Sequence, residues 1–171
     1  KNHNPDLMTF LGAALDGHDV GLMSEAGTPC VADPGSLIVE LAHQAGIKVV
    51  PLTGPNAMIL ALMASGFNGQ AFCFHGYLPI KSPERSNAIK NLERRSAGNN
   101  ETQMFIETPF RNNAMIEELT KTLHPNTMLC VACNISMPDE EIVSKPISEW
   151  KRIKKDWNKR PAVFLIYKSK Y

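Results

Sequence analysis

Short apolar runs along this chain alternate with helix-like stretches of about a dozen residues. The runs at 20–24, 48–52, 71–75, 103–107, 128–132 and 162–167 have the length and the branched or aromatic content of strands. Between and around them the pattern predicts helices over 5–16, 34–45, 55–65, 83–96, 109–123 and 147–156. Such alternation points to an α/β architecture with largely parallel pairing. Strands that are apolar almost throughout fit a sheet covered on both faces.

Prolines punctuate this pattern. Asp33-Pro34, Gly54-Pro55, Ser82-Pro83 and Thr108-Pro109 each set a helix-capping residue before a proline. Proline at the first helical position loses nothing, because its missing N–H has no partner there. The stretch Gly76-Tyr-Leu-Pro-Ile-Lys-Ser-Pro83 interrupts the alternation with two prolines and a glycine, and so suggests a boundary. Residues 1–78 then form what remains of an N-terminal α/β domain, and residues 79–171 a C-terminal one. Ser96-Ala-Gly-Asn-Asn-Glu101 reads as an exposed loop.

Charge supports the division. Residues 1–80 hold two lysines, no arginine and six carboxylates, a net −4. Residues 81–171 hold sixteen cations against eleven carboxylates, a net +5. Such a split suggests two segments with different electrostatic partners, or simply helices with more surface Lys and Arg. Lys151-Arg-Ile-Lys-Lys155 with Lys159-Arg160 is either an anion-facing surface or a solvated helix face.

The composition, 43% hydrophobic and 20% charged over 171 residues, is that of a globular protein of one large or two small domains. No stretch approaches the roughly 20 apolar residues of a membrane span, and no basic-then-apolar leader opens the chain. A cytoplasmic protein with reduced cysteines is the expectation. Cys130-Val-Ala-Cys133 has the spacing of a metal or redox pair, but it lies in a strand-like run. Residues three apart on a strand point to opposite faces, so the sulfurs should diverge. No second pair completes a zinc site and the five histidines show no ligand spacing, so no metal is expected.

Three constellations could carry chemistry. Ser24-Glu-Ala-Gly-Thr-Pro-Cys-Val-Ala-Asp-Pro-Gly35 follows a strand-like run and leads into a helix, the place where open α/β sheets bind ligands. It has neither the spacing nor the lysine of a phosphate loop, and no G-x-G-x-x-G. An acidic, lysine-free loop suits a neutral or cationic ligand; it is equally readable as a structural turn. Val50-Pro-Leu-Thr-Gly-Pro-Asn-Ala-Met58 is a second such turn, an ordinary βα connection or the other wall of a pocket. Phe105-Ile-Glu-Thr-Pro-Phe-Arg111 places Glu107 at a strand end and Arg111 on the first turn beyond it. They are either a partly buried ion pair or the substrate mouth of a cleft.

At these residues the chain resembles the tetrapyrrole (corrin/porphyrin) methylase family. Glu-Ala-Gly-Thr-Pro followed by Ala-Asp-Pro-Gly is similar to that family's Asp-Ala-Gly-Thr-Pro…Asp-Pro-Gly. The similarity runs through the branch that methylates cytidine 2′-O positions of small-subunit ribosomal RNA. Phe74-His-Gly-Tyr-Leu-Pro79 resembles that branch's Gly-Phe-Leu-Pro, and Glu107-Thr-Pro-Phe-Arg111 its Glu-Ser-Pro-His-Arg.

The resemblance implies two α/β domains with S-adenosyl-L-methionine in the cleft between them. It implies cofactor contacts from Ala26, Gly27, Thr28, Val31, Asn56 and Ala57, with Glu107 and Asn134 of the second domain closing over the cofactor. Arg111 falls on the substrate side, and Glu25 or Glu107 is the general base for a hydroxyl acceptor. The acceptor is a ribosomal RNA ribose or a tetrapyrrole-like small molecule, and a homodimer is implied. Nothing in residues 1–19 matches the family's opening strand and loop, so a segment preceding this chain is expected.

Two departures fall in the second half: Cys133-Asn-Ile-Ser-Met137 where the branch has Arg-Glu-Leu-Thr-Lys, and Arg160-Pro161 where it has Gly-Glu. They leave room for a cofactor-binding module of the same fold without transfer activity. A flavodoxin-like nucleotide binder would need phosphate contacts that a lysine-free loop does not offer.

Overall fold

A computed structural model describes residues 7–169. A 3₁₀ helix at Leu7–Leu11 leads into α1 (Gly12–Leu15), α2 (Ser36–Gln44), α3 (Ala57–Ser65), β1 (Phe72–Tyr77), α4 (Glu84–Asn99) and β2 (Thr102–Ile106). A 3₁₀ turn at Pro109–Arg111 then opens α5 (Asn112–Thr122), followed by β3 (Met128–Cys133), β4 (Glu141–Pro146), α6 (Ile147–Trp150) and β5 (Ala162–Tyr167). Packing divides the chain into two compact units after Asn56. The change in charge balance near residue 78 lies inside the second of these. There β1 pairs with β2, and α3 packs on β3, β4 and β5.

The first unit is built around α2, which packs on the N-terminal 3₁₀ helix. Gly46, at φ +71°, ends α2, with the Ile47 amide reaching back to the Ala42 carbonyl. The runs 20–24 and 48–52, read as strands, form none. A strand needs a ladder partner as well as an apolar pattern, and neither run pairs with another described segment. Their side chains are accordingly exposed, Met23 at 87% and Leu52 at 86%. The helix expected over 5–16 is a 3₁₀ turn and one turn of α-helix; residues 5 and 6 lie outside the described part.

The second unit is a five-stranded sheet in the order β1-β2-β5-β3-β4. Only β1 and β2 are parallel; β2–β5, β5–β3 and β3–β4 are antiparallel, which corrects the expectation of largely parallel pairing. Both faces are covered, as the continuous apolar strands require. Phe105, Leu129, Val131, Cys133, Phe164 and Ile166 point into one core, with Ile89 and Leu92 of α4, Met115 and Leu119 of α5, and Trp150 and Trp157. Met104, Cys130, Ala132, Val163 and Leu165 point the other way, onto Ala61 and Leu62 of α3. Cys130 and Cys133 thus lie on opposite faces, as the strand period predicts. Burial pushes their thiols up to about 12 and about 11.

Other details depart from the sequence pattern. Residues 96–99 continue α4, and Asn100 closes it in the left-handed conformation, φ 54°, instead of forming an exposed loop. The helix expected over 147–156 stops at Trp150. The prolines do sit at helix starts, but the preceding residue caps none of α2, α4 or the 3₁₀ turn with its side chain. Among the described residues no helix is long and apolar enough to cross a membrane, and no group of three or more His, Cys, Asp or Glu could hold a metal ion.

Candidate active site

In the first unit the loop 24–35 is tied down by its own side chains. The Ser24 hydroxyl donates to the Gly27 carbonyl at 2.7 Å and lies 3.2 Å from that of Ala26. Gly27 adopts φ +77°, a left-handed conformation that L side chains rarely adopt, so any other residue would be strained there. Asp33, expected to cap α2, instead accepts from the amides of Cys30 (3.2 Å) and Gly35 (3.3 Å) inside the loop. That Asx-type closure holds Cys30 and Ala32 at φ 66° and 56°. Gly35 is buried because there is no room for more: a Cβ would come within 2.9 Å of Leu22 Cδ2 and 3.2 Å of Cys30 Sγ.

A side-chain hydrogen bond joins the second turn to the first. Asn56 Nδ2 donates to Thr28 Oγ1 at 2.7 Å, across twenty-eight positions of sequence. A Cβ on Gly54 would touch Thr28 at 3.8 Å, and one on Gly27 would meet the Pro55 carbonyl at 3.6 Å, so the two turns lie against each other. Gly27, Thr28 and Asn56 are therefore brought together. Glu25, Ala26 and Val31 stand exposed on the same loop, and Ala57 is exposed at the start of α3.

The second unit holds the remaining expected residues. Glu107, 5% exposed, follows the last residue of β2. Its Oε1 accepts from the Thr108 amide (2.6 Å), from Arg111 Nη2 (2.6 Å) and Nε (3.0 Å), and from the Thr108 hydroxyl (3.2 Å). The ion-pair reading of Glu107 and Arg111 is the one the geometry displays. With four donors converging on it, this oxygen holds the strand-to-helix turn.

Asn134 closes β3 in the left-handed conformation, φ 49°; its amide donates to the Pro161 carbonyl and its Nδ2 to Asp139 at 2.6 Å. Next to it Glu141 gathers Lys155 and Arg160, the latter at 3.0 Å. The hydrogen bond from Lys155 is the leading reason that the Glu141 carboxyl is held below the usual range. Two cations of the run read as anion-facing are thus paired with a carboxylate.

Pattern reading missed the residues that stitch 157–160 to the turn after β2. Asn112, fully buried, donates to the carbonyls of Trp157 and Arg160. Asn113 Oδ1 accepts from the Trp157 amide, and the Lys159 amide donates to the Pro109 carbonyl. Two adjacent asparagines at a helix start were the available signal.

The second unit is thus a mixed α/β fold built on one five-stranded sheet. Residues 2–151 match the profile of the Tetrapyrrole (Corrin/Porphyrin) Methylases, and the chain belongs to that family. It is 35% identical over 168 residues to a ribosomal RNA small subunit methyltransferase I of Escherichia coli O157:H7, covering 96% of this chain and 57% of that protein. With the protein of the same name from Pasteurella multocida it shares 38% identity over 132 residues, 77% of this chain and 46% of that one. The chain spans about half the length of the curated relatives it matches. The crystal structure of the methyltransferase CobJ shares the fold at a TM-score of 0.61 with 21% identity, covering 98% of this chain and 73% of that one.

Proposed function

We propose that this chain serves methyl transfer from S-adenosylmethionine to a ribose 2′-hydroxyl of small-subunit ribosomal RNA. The observation that carries the reading is the junction of the two turns of the first unit, Thr28 to Asn56, in a loop without a cation. Its donor set is hydroxyl, amide and backbone, with the exposed Glu25 carboxylate at the rim. The rim carboxylate and the absence of a cation suit a ligand carrying an ammonium and a sulfonium better than a phosphate ester. Ala26, Gly27, Thr28, Val31, Asn56 and Ala57 are assigned to the donor. The resemblance adds Asn134 to the donor, and the substrate-mouth reading of the Glu107–Arg111 turn assigns Arg111 to the acceptor side. The names of the relatives support ribosomal RNA as the acceptor.

S-adenosylmethionine, when bound, supplies a methyl group already attached to a good leaving group. Orientation then does much of the work, on the order of 7–11 kcal/mol in well-aligned systems. Of the two carboxylates considered as base, Glu25 is open to solvent, whereas Glu107 is buried with its Oε1 engaged by Thr108 and Arg111. Glu25 is therefore the group assigned to take the acceptor hydroxyl's proton at a carboxylate oxygen, worth roughly 10²–10⁴-fold.

The test is transfer of isotope-labelled methyl from S-adenosylmethionine to unmodified small-subunit ribosomal RNA, followed by nucleoside mass spectrometry. A 2′-O-methylated nucleoside is expected. Label on a base carbon, or donor binding without transfer, would refute the assignment.

A further inference from the structure

The turn after β2 carries a feature that the methyl-transfer reading leaves unused. Phe110 is 73% exposed, yet the residues on either side of it are held by backbone hydrogen bonds. The Arg111 amide donates to the Thr108 carbonyl at 2.9 Å, and the Lys159 amide to the Pro109 carbonyl at 2.8 Å. The Thr108 amide is held by Glu107, and Asn112 anchors the strap 157–160 from below. A large apolar ring on a rigid turn, open to water, gains nothing for folding.

Its surroundings indicate an occupant. Lys159 is exposed and joined to the same turn through its backbone. Arg111, the next residue, is about one-third exposed, and its partner Glu107 is buried beneath it. Asp156, the other carboxylate nearby, is held below its usual range first by the Asn158 amide, then by Asn113, then by the charge of Lys159. Parallel pairing in the register Tyr77↔Ile106 makes β1 and β2 end together, so Tyr77, 61% exposed, leaves the sheet at the same end as this turn. Exposed aromatic faces interleaved with cations are what unpaired nucleotides recognise, the base by stacking and the phosphate by charge.

We propose that Phe110 is a stacking platform for an unpaired base of single-stranded RNA, with Lys159 facing the neighbouring phosphate and Tyr77 supplying a second ring at the same sheet end. The inference rests on the reading of RNA as the acceptor, and names the surface that would receive it.

The test is fluorescence anisotropy with a labelled, unstructured RNA of about 12 nucleotides, its duplex form and an abasic version of the same strand. Phe110→Ala should weaken binding to the single strand by about 5- to 150-fold and leave the abasic strand's binding unchanged. Phe110→Tyr should bind as the parent does, and the duplex should not discriminate between the variants. Lys159→Gln should lower the salt dependence by roughly 0.7 in log–log slope, where Phe110→Ala leaves it alone. Because the ring is exposed, the thermal midpoint of Phe110→Ala should match the parent. If Phe110→Ala binds within twofold of the parent, or loses equally on the abasic strand, the platform is refuted while the RNA reading stands. If the parent binds no RNA, both fall together.

Discussion

Arg111→Ala separates the two meanings of the Glu107-Thr-Pro-Phe-Arg111 motif. The substitution leaves a carboxylate with 2% of its side chain exposed and removes two of the four donors on its Oε1, both of them charged. Breaking a buried ion pair from one side costs about 3–5 kcal/mol, because the remaining charge has lost its compensation. Arg111 is 32% exposed and Thr108 keeps its two bonds to Glu107, so the loss should fall at the lower end, about 3 kcal/mol. Urea unfolding followed by tryptophan fluorescence reads it directly, since Trp150 and Trp157 both lie in the core of this unit. With a urea slope of about 1–3 kcal/mol per molar, the midpoint should drop by roughly 1–3 M. Replacing both partners, Glu107→Gln with Arg111→Met, should restore most of that loss, because no buried charge is left unpaired. A fall of less than about 1 kcal/mol in Arg111→Ala, together with lost RNA methylation, would overturn the structural reading and return Arg111 to substrate contact.

Other consequences follow from the same geometry. Asn56→Ala removes the donor to Thr28 and should weaken S-adenosylmethionine binding about 5- to 10-fold, near 1 kcal/mol, by calorimetry; unchanged affinity would remove the two-turn junction from the cofactor site. Gly35→Ala pushes a methyl to within 2.9 Å of Leu22 and should speed amide exchange across loop 24–35, and equal exchange would show that Leu22 simply yields. Burial raises the Cys130 and Cys133 thiols from 9.0 to about 12 and about 11, so the folded state prefers both protonated. Stability should be unaffected below about pH 9 and decline as pH rises from 9 towards 11, where the unfolded chain ionises first. Urea midpoints at pH 8 and pH 10.5 check the sign, by comparison with a chain carrying Cys130→Ala and Cys133→Ala.

How far the fold was legible depended on what each residue could reveal about its neighbours. Strands β2, β3 and β5 were readable because both faces are buried, as Met104 and Phe105 or Cys130 and Val131 show by pointing into different cores. β4 was not, because Glu-Ile-Val-Ser-Lys-Pro carries charge and a proline, as an edge strand tolerates. The runs 20–24 and 48–52 have the same apolar content as the true strands, but composition does not state whether a ladder partner exists. Direction followed a similar rule. The helix between each pair correctly makes β1, β2 and β3 run the same way. The chain then reverses at Asn134 and returns as β4 and, after α6, β5. Strand β5 inserts between β2 and β3 and makes both contacts antiparallel. Local pattern determines the direction of a strand, and only tertiary packing determines its neighbours. The site divides along that line. The turn of loop 24–35 was readable at Gly27, whose positive φ calls for glycine, whereas Asp33, read as a cap of α2, closes the loop on the Cys30 and Gly35 amides instead. Phe110 was not, because its meaning comes from Lys159, almost fifty positions away in sequence and one hydrogen bond away in space.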